Sequence, residues 1–235
     1  MRSLEERFGK WYNFLKPELE SKYFKLIGAK VNLRRKVSKV YPESENVFKC
    51  FEITNISDIN CIIVGQDPYP GYSLLLDKPV ADGLAFSTSD EDKTPVSLNK
   101  IHKAIEDDCY GGFNLDAKND LSYLSEQGVL LLNRTMTVEH NAPLSHVDIG
   151  WDEFTGRVIK LICSQDRPIA IITFGKGPKE LVDKCLLNTS YHQIINVEHP
   201  AYAGRQGREL DHKNCFTKTN EFIEKHYGKM CRIKW

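Results

Sequence analysis

Three polar residues stand just beyond apolar runs, and each is of a type that can act on a reacting bond. Asp67 follows Cys61–Val64 (CIIV) within Gly65-Gln66-Asp67-Pro68-Tyr69. Asn133 follows Val129–Leu132 (VLLL), and His199 lies one residue beyond Gln193–Val197 (QIINV) and precedes Pro200. A fourth run, Ile169–Thr173 (IAIIT), leads to Gly175-Lys176-Gly177. A carboxylate can orient or deprotonate water. An imidazole can donate a hydrogen bond or move a proton. A carboxamide carries an acceptor and donors on one group. These are the parts of a site if the fold gathers them, with no substrate yet implied.

The elements that must gather them are legible. The four runs are short and apolar almost throughout, as strands covered on both faces are. Helical periodicity lies between them. One stretch carries Leu98, Ile101 and Ile105, a second Phe154, Val158, Leu161 and Ile162, and a third spans roughly Pro178–Leu187. The N-terminus reads as helix, with Ser3 and Glu6 at capping-box spacing and Leu4, Phe8, Trp11 and Leu15 at helical intervals. Strand and helix alternate, which argues for an α/β fold with a mainly parallel sheet. In open parallel sheets ligands bind outside the carboxyl ends of the strands. Asp67, Asn133, His199 and the glycine turn are therefore expected along one rim. No repeat, low-complexity tract or long linker divides the chain, so residues 1–235 read as one domain.

The chain has 235 residues, 41% hydrophobic and 27% charged, which excludes collagen, disorder and coiled coil as the main reading. No apolar run approaches the ~18–20 residues of a membrane helix. The opening MRSLEERFGKWYNF is charged and amphipathic, so neither a signal peptide nor a membrane association is expected. Seven cysteines, an odd number widely spaced and without C-x-x-C, argue against zinc, an iron–sulfur cluster or a disulfide framework. Reduced thiols in a cytoplasmic protein fit them, with Cys61 and Cys163 as small core residues.

Formal net charge is zero, which alone argues against a nucleic-acid partner. The zero is partitioned, however. Residues 1–40 and 156–235 are net +7 and +6, whereas 41–100 and 101–155 are net −6 and −7. If the ends meet in space, one face is basic although the total is neutral; scattered surface charge is the plainer alternative. Gly175-Lys176-Gly177 lacks P-loop spacing, and no G-x-S-x-G supports a serine hydrolase.

Gly65–Tyr69 (GQDPY) resembles the water-activating motif of family 1 uracil-DNA glycosylases. The resemblance continues through Gly83-Leu84-Ala85-Phe86-Ser87, Pro95-Val96-Ser97-Leu98 and Gln127–Asn133. Ser145-His146, Gly150-Trp151, Phe154-Thr155, His199-Pro200 and Phe216 to Asn220 complete it, in the family's order. It implies a single α/β domain in three α/β/α layers around a central parallel four-stranded sheet. It implies a monomeric DNA-repair enzyme that extrudes uracil from DNA, single- or double-stranded, and hydrolyses its N-glycosidic bond. No metal or other cofactor is implied. Asp67 would orient water and stabilise the sugar cation, and a neutral His199 would donate to uracil O2. Asn133 would read N3–H and O4, Phe86 would stack on the base, Tyr69 would exclude the thymine methyl, and Gln66 would line the uracil site. Ser97, Gly175, Lys176 and Pro200 would meet the DNA backbone.

The chain departs from the pattern in several places. Pro70 replaces a histidine, and Lys176 stands where the family has serine. Gly71–Asp82 (GYSLLLDKPVAD) is about twice the family's length there and carries Leu74-Leu75-Leu76. After His199-Pro200 come Ala201-Tyr202-Ala203-Gly204, so the leucine that wedges into the duplex falls on Ala203. Tyr202, Arg205 or Leu74–Leu76 are the candidates to replace it. These departures keep three alternatives open. One is a glycosylase for a modified pyrimidine, one a catalytically dispensable DNA-binding or replication-accessory protein. The third is an added protein partner, an inhibitor or a replication factor.

Overall fold

The computed structural model describes residues 2–113, 117–186 and 190–235. Its centre is a parallel sheet of β1 (Cys61–Gly65), β2 (Val129–Asn133), β3 (Ala170–Phe174) and β4 (Gln193–Val197), in the order β2-β1-β3-β4. Every residue of β1, β2 and β3 is buried. Successive strand side chains point to opposite faces, so both faces must be covered, which is the three-layer arrangement expected. β4 lies at the edge, and four of its five residues are only half-buried. Here the expectation of burial on both faces is corrected.

The helices fall where apolar periodicity placed them. Val96–Tyr110 buries Leu98, Ile101 and Ile105, and Trp151–Cys163 buries Phe154, Val158 and Ile162. Lys176–Cys185 covers the third expected stretch, whose end at Leu187 lies outside the described residues. The N-terminal stretch is two helices rather than one. Leu4–Phe8 carries the Ser3–Glu6 capping box, and Lys10–Leu19 follows a break at Gly9, whose φ of +49° favours glycine. Phe8, Trp11, Leu15 and Phe51 join the main core. All seven cysteines are unpaired. Cys61 is buried, but Cys163 is only half-buried at a helix end, which corrects its expected core position. Among the described residues no helix is long and apolar enough to cross a membrane.

Candidate active site

Register brings the polar residues to one rim. Gly65 of β1 pairs with Asn133 of β2, and Phe174 of β3 pairs with Val197 of β4. The chain therefore leaves β1, β3 and β4 on the side where Asn133 ends β2. Gly65 makes room there. A Cβ on it would lie 2.5 Å from Asn133 Oδ1 and 3.3 Å from Phe86 Cε2. Asn133 is 7% exposed, and its carboxamide has no hydrogen-bond partner among the described residues. Its polar atoms are therefore available to a ligand that matches them.

Aromatic rings line the space beside it. Phe86 is buried with φ +65°, an uncommon conformation for a bulky residue. The Tyr69 hydroxyl donates to the Phe86 carbonyl at 2.9 Å and helps fix that geometry. Burial and the nearby Asp82 carboxylate push the Tyr69 phenol up, so it stays a neutral donor. The Phe86 ring meets Phe174 edge-on at 5.2 Å and His199 at 6.4 Å.

His199 caps the helix Pro200–Arg205. The Ala201 N–H donates to its Nδ1 at 3.1 Å. That bond occupies the Nδ1 lone pair, so the neutral ring carries its proton on Nε2. Burial pushes the His199 pKa down, and the Arg205 charge adds to this. The result is a neutral imidazole with a free Nε2–H. Gly175, at φ +103°, lies against it, and a Cβ there would sit 3.1 Å from His199 Cβ.

Asp67 is held from a distant turn. The Leu144 N–H donates to Asp67 Oδ2 at 2.7 Å. Burial raises the carboxyl pKa, and that hydrogen bond opposes the rise in part. Leu144 has φ +66° and Asn141 φ +56°, so the turn is strained and needs anchors. Asn141 N–H donates to the Pro70 carbonyl at 2.9 Å, and Glu139 N–H to Ser145 Oγ at 2.8 Å. Beneath it, Trp151 Nε1 donates to Thr137 Oγ1 at 2.7 Å, leaving the Thr137 hydrogen for His146 Nδ1 at 2.8 Å. Sequence reasoning passed over Leu144 and Thr137, although Ser145-His146 and Gly150-Trp151 flank them in the motif set. It also passed over Arg134, whose guanidinium pairs with both Asp152 oxygens beside Gly177. Gln66 turns its carboxamide toward Gly177, and its buried Nε2 has no hydrogen-bond partner among the described residues. Among the described residues no cluster of His, Cys, Asp and Glu could hold a metal ion.

The model of the uracil DNA glycosylase superfamily matches residues 51–224. The chain belongs to the uracil-DNA glycosylase superfamily. It is 36% identical over 222 residues to a uracil-DNA glycosylase of Borrelia duttonii, covering 92% of this chain and 93% of that protein. The mimivirus uracil-DNA glycosylase shares the fold, with a TM-score of 0.80 and 23% identity over 92% of this chain and 83% of that one. A Y322F variant of the mimivirus enzyme, solved in complex with UGI, gives a TM-score of 0.83 at 21% identity, over 95% and 88%.

Against this superfamily frame, the residues expected to face DNA divide. Ala203 is fully buried in the helix Pro200–Arg205, so it cannot present a side chain to a duplex. Pro200 is also buried, and its ring fixes the first turn of that helix. The Gly175 N–H donates to the Val197 carbonyl at 2.8 Å, so a phosphate contact from this turn would have to use its other groups. Ser97 is 7% exposed, whereas its neighbour Val96 is 63% exposed. Lys176, Tyr202 and Arg205 are exposed. Lys176 starts its helix and lies 3.8 Å from Glu180. Arg208, in the basic segment 156–235, pairs with Glu198. In the acidic segment 41–100, Asp82 is buried against Lys49 at 2.9 Å, and the exposed Asp77 accepts from the Tyr72 hydroxyl at 2.7 Å.

Proposed function

We propose that this chain is a family 1 enzyme that excises uracil from DNA, hydrolysing the N-glycosidic bond and leaving an abasic site. One observation carries the assignment of roles. The buried, unmatched Asn133 carboxamide shares its rim with a neutral His199 and with Asp67. An amide there can accept from uracil N3–H and donate to O4. Cytosine presents the reverse pattern, and a buried mismatch of that kind discriminates by on the order of 10⁴. The base reaches such a pocket only by leaving the stack.

The chemistry follows from where charge develops. As the bond breaks, negative charge grows on the base and positive charge on the sugar. His199 Nε2–H donates to uracil O2, and one such preorganised donor is worth roughly 2.7–4 kcal/mol. Asp67, as a carboxylate, orients water and stabilises the sugar cation. Phe86 stacks on the base, Tyr69 bars a C5 methyl, and Gln66 closes the turn side. Lys176 and Arg205 attract phosphate. The seven unpaired thiols support a reducing, cytoplasmic setting, and the chain acts as a monomer.

Base release from single-stranded and duplex uracil oligonucleotides, read by alkaline cleavage of abasic sites, tests this. Asp67→Asn keeps an acceptor for the Leu144 N–H and should lower single-turnover release by about 10²–10⁴. His199→Ala should lower it by about 10²–10³. Wild type that leaves every uracil oligonucleotide intact would sink the proposal.

A further inference from the structure

With Ala203 buried, the helix after His199 offers no side chain at the position where the superfamily's wedge was expected. A base that leaves a duplex vacates a stacked position, and proteins hold such openings with inserted apolar side chains. Elsewhere on the surface such side chains stand ready. Leu74 and Leu75 are 89% and 76% exposed. They form the tip of a hairpin that pairs Tyr72–Ser73 with Lys78–Pro79, just after Asp67–Pro70 in the chain.

The base of this hairpin is fixed while its tip is bare. The Tyr72 ring stacks on Tyr41 at 6.1 Å, and its hydroxyl donates to Asp77 at 2.7 Å. Val80 N–H donates to the Gly71 carbonyl at 3.1 Å. A groove of about 640 Å³ runs between the tip and the segment 90–95. Tyr69 stands in its wall and also bonds the Phe86 carbonyl, so one side chain is shared between the groove and the rim that holds Phe86. Lys93 lines the groove together with Asp90 and Asp92, and Lys39 lies over the Tyr72 ring at the hairpin's base at 5.3 Å, so the charge beside the tip is mixed and the tip itself is apolar. Tyr202 is the competing candidate, but Arg208 lies over its ring at 5.7 Å and is itself held by both Glu198 oxygens.

We propose that Leu74 and Leu75 are the wedge. They enter the duplex beside an extruded base from the side of the Asp67 segment, taking over a task Ala203 cannot perform. This rests on the proposed release of uracil from DNA. It makes the Gly71–Asp82 segment the determinant of duplex use, separate from the chemistry.

The test compares wild type, a Leu74→Ala/Leu75→Ala double variant and Tyr202→Ala in single-turnover release from three substrates: single-stranded, duplex U·A and duplex U·G. The double variant should keep single-strand release and lose about tenfold or more on U·A. The loss on U·G should be smaller, because a mismatched base is easier to extrude. Tyr202→Ala should keep the wild-type ratio of duplex to single-strand release. Leu75→Trp supplies a second readout, with emission quenched by a duplex holding an abasic-site analogue more than by an intact duplex. An active double variant with an unchanged ratio overturns the wedge alone. Equal losses on single strand and duplex overturn it too, as does a ratio that falls in Tyr202→Ala. Wild type that releases no uracil from any substrate overturns the proposed function and the wedge with it.

Discussion

Around the base pocket, functional groups are held by backbone hydrogen bonds, one of them from far away in the chain; at the hairpin tip, the exposed side chains are held only from below. Asp67 takes its hydrogen bond from Leu144, and His199 Nδ1 is fixed by Ala201 N–H. Leu74 and Leu75 stand in solvent on a short ladder. The difference separates two demands. Bond cleavage needs dipoles fixed before the charge appears, because preorganised groups need no rearrangement at the moment of reaction. Opening a duplex needs only apolar bulk that reaches between base pairs. The first demand tolerates little change in residue type, whereas the second can be met from any loop beside the pocket.

The comparison breaks most visibly at Gly65. A Cβ there would lie 2.5 Å from Asn133 Oδ1 and 3.2 Å from Ala85 Cβ. Gly65→Ala must displace the carboxamide, and misplacing a recognition group by about 1 Å can cost about 10² in rate. Release should fall by about that factor on single strand and duplex alike, with the circular-dichroism spectrum retained. A loss confined to duplex would mean that the rim and the tip are not separable.

The pH profile gives the next largest effect. Burial raises the Asp67 pKa and lowers that of His199. Asp67 acts as a carboxylate, so activity is present above its folded pKa and lost as pH falls through it. The acid limb of kcat/KM should therefore lie above the ordinary aspartate value of ~3.9, falling about tenfold per pH unit. His199, pushed down, stays neutral near pH 7 and sets no limb there. The limb should be identical for single-stranded and duplex substrates and be absent from the residual activity of Asp67→Asn. An acid limb at the pH of an exposed aspartate would contradict the burial that separates pocket from edge.

What could be read before the structure divides along the same line. Apolar runs mark these strands in the sequence, matching β4 to the residue and the ends of β1, β2 and β3 to within one, although β4 is only half-buried. Their ends placed Asp67, Asn133 and His199 together because parallel register does so for any such sheet. The Asp67–Leu144 bond spans 77 residues and uses a backbone N–H, which no side-chain pattern reveals. The break at Gly9 was hidden because Leu4, Phe8, Trp11 and Leu15 keep helical spacing across it. Motif spacing puts Ala203 at the wedge position, and only the packed turn of Pro200–Arg205 shows that its side chain faces inward. The run Leu74–Leu76 is visible in the sequence, but exposure and a fixed hairpin base are properties of folded geometry.

The smallest expected effect concerns Lys176, the one departure that adds charge to the rim. Its side chain is 90% exposed and lies 3.8 Å from Glu180, a surface pair that contributes about 0–1 kcal/mol. It is therefore free to trade that carboxylate for a phosphate. Lys176→Ala should leave single-turnover release at saturating enzyme unchanged and weaken duplex binding a few-fold at low salt. Neutralising one phosphate contact should reduce the slope of log K against log salt by about 0.9 on duplex and about 0.7 on single strand. An unchanged slope would mean that Lys176 serves its helix alone, and that the basic character of residues 156–235 reaches DNA through Arg205 or not at this rim.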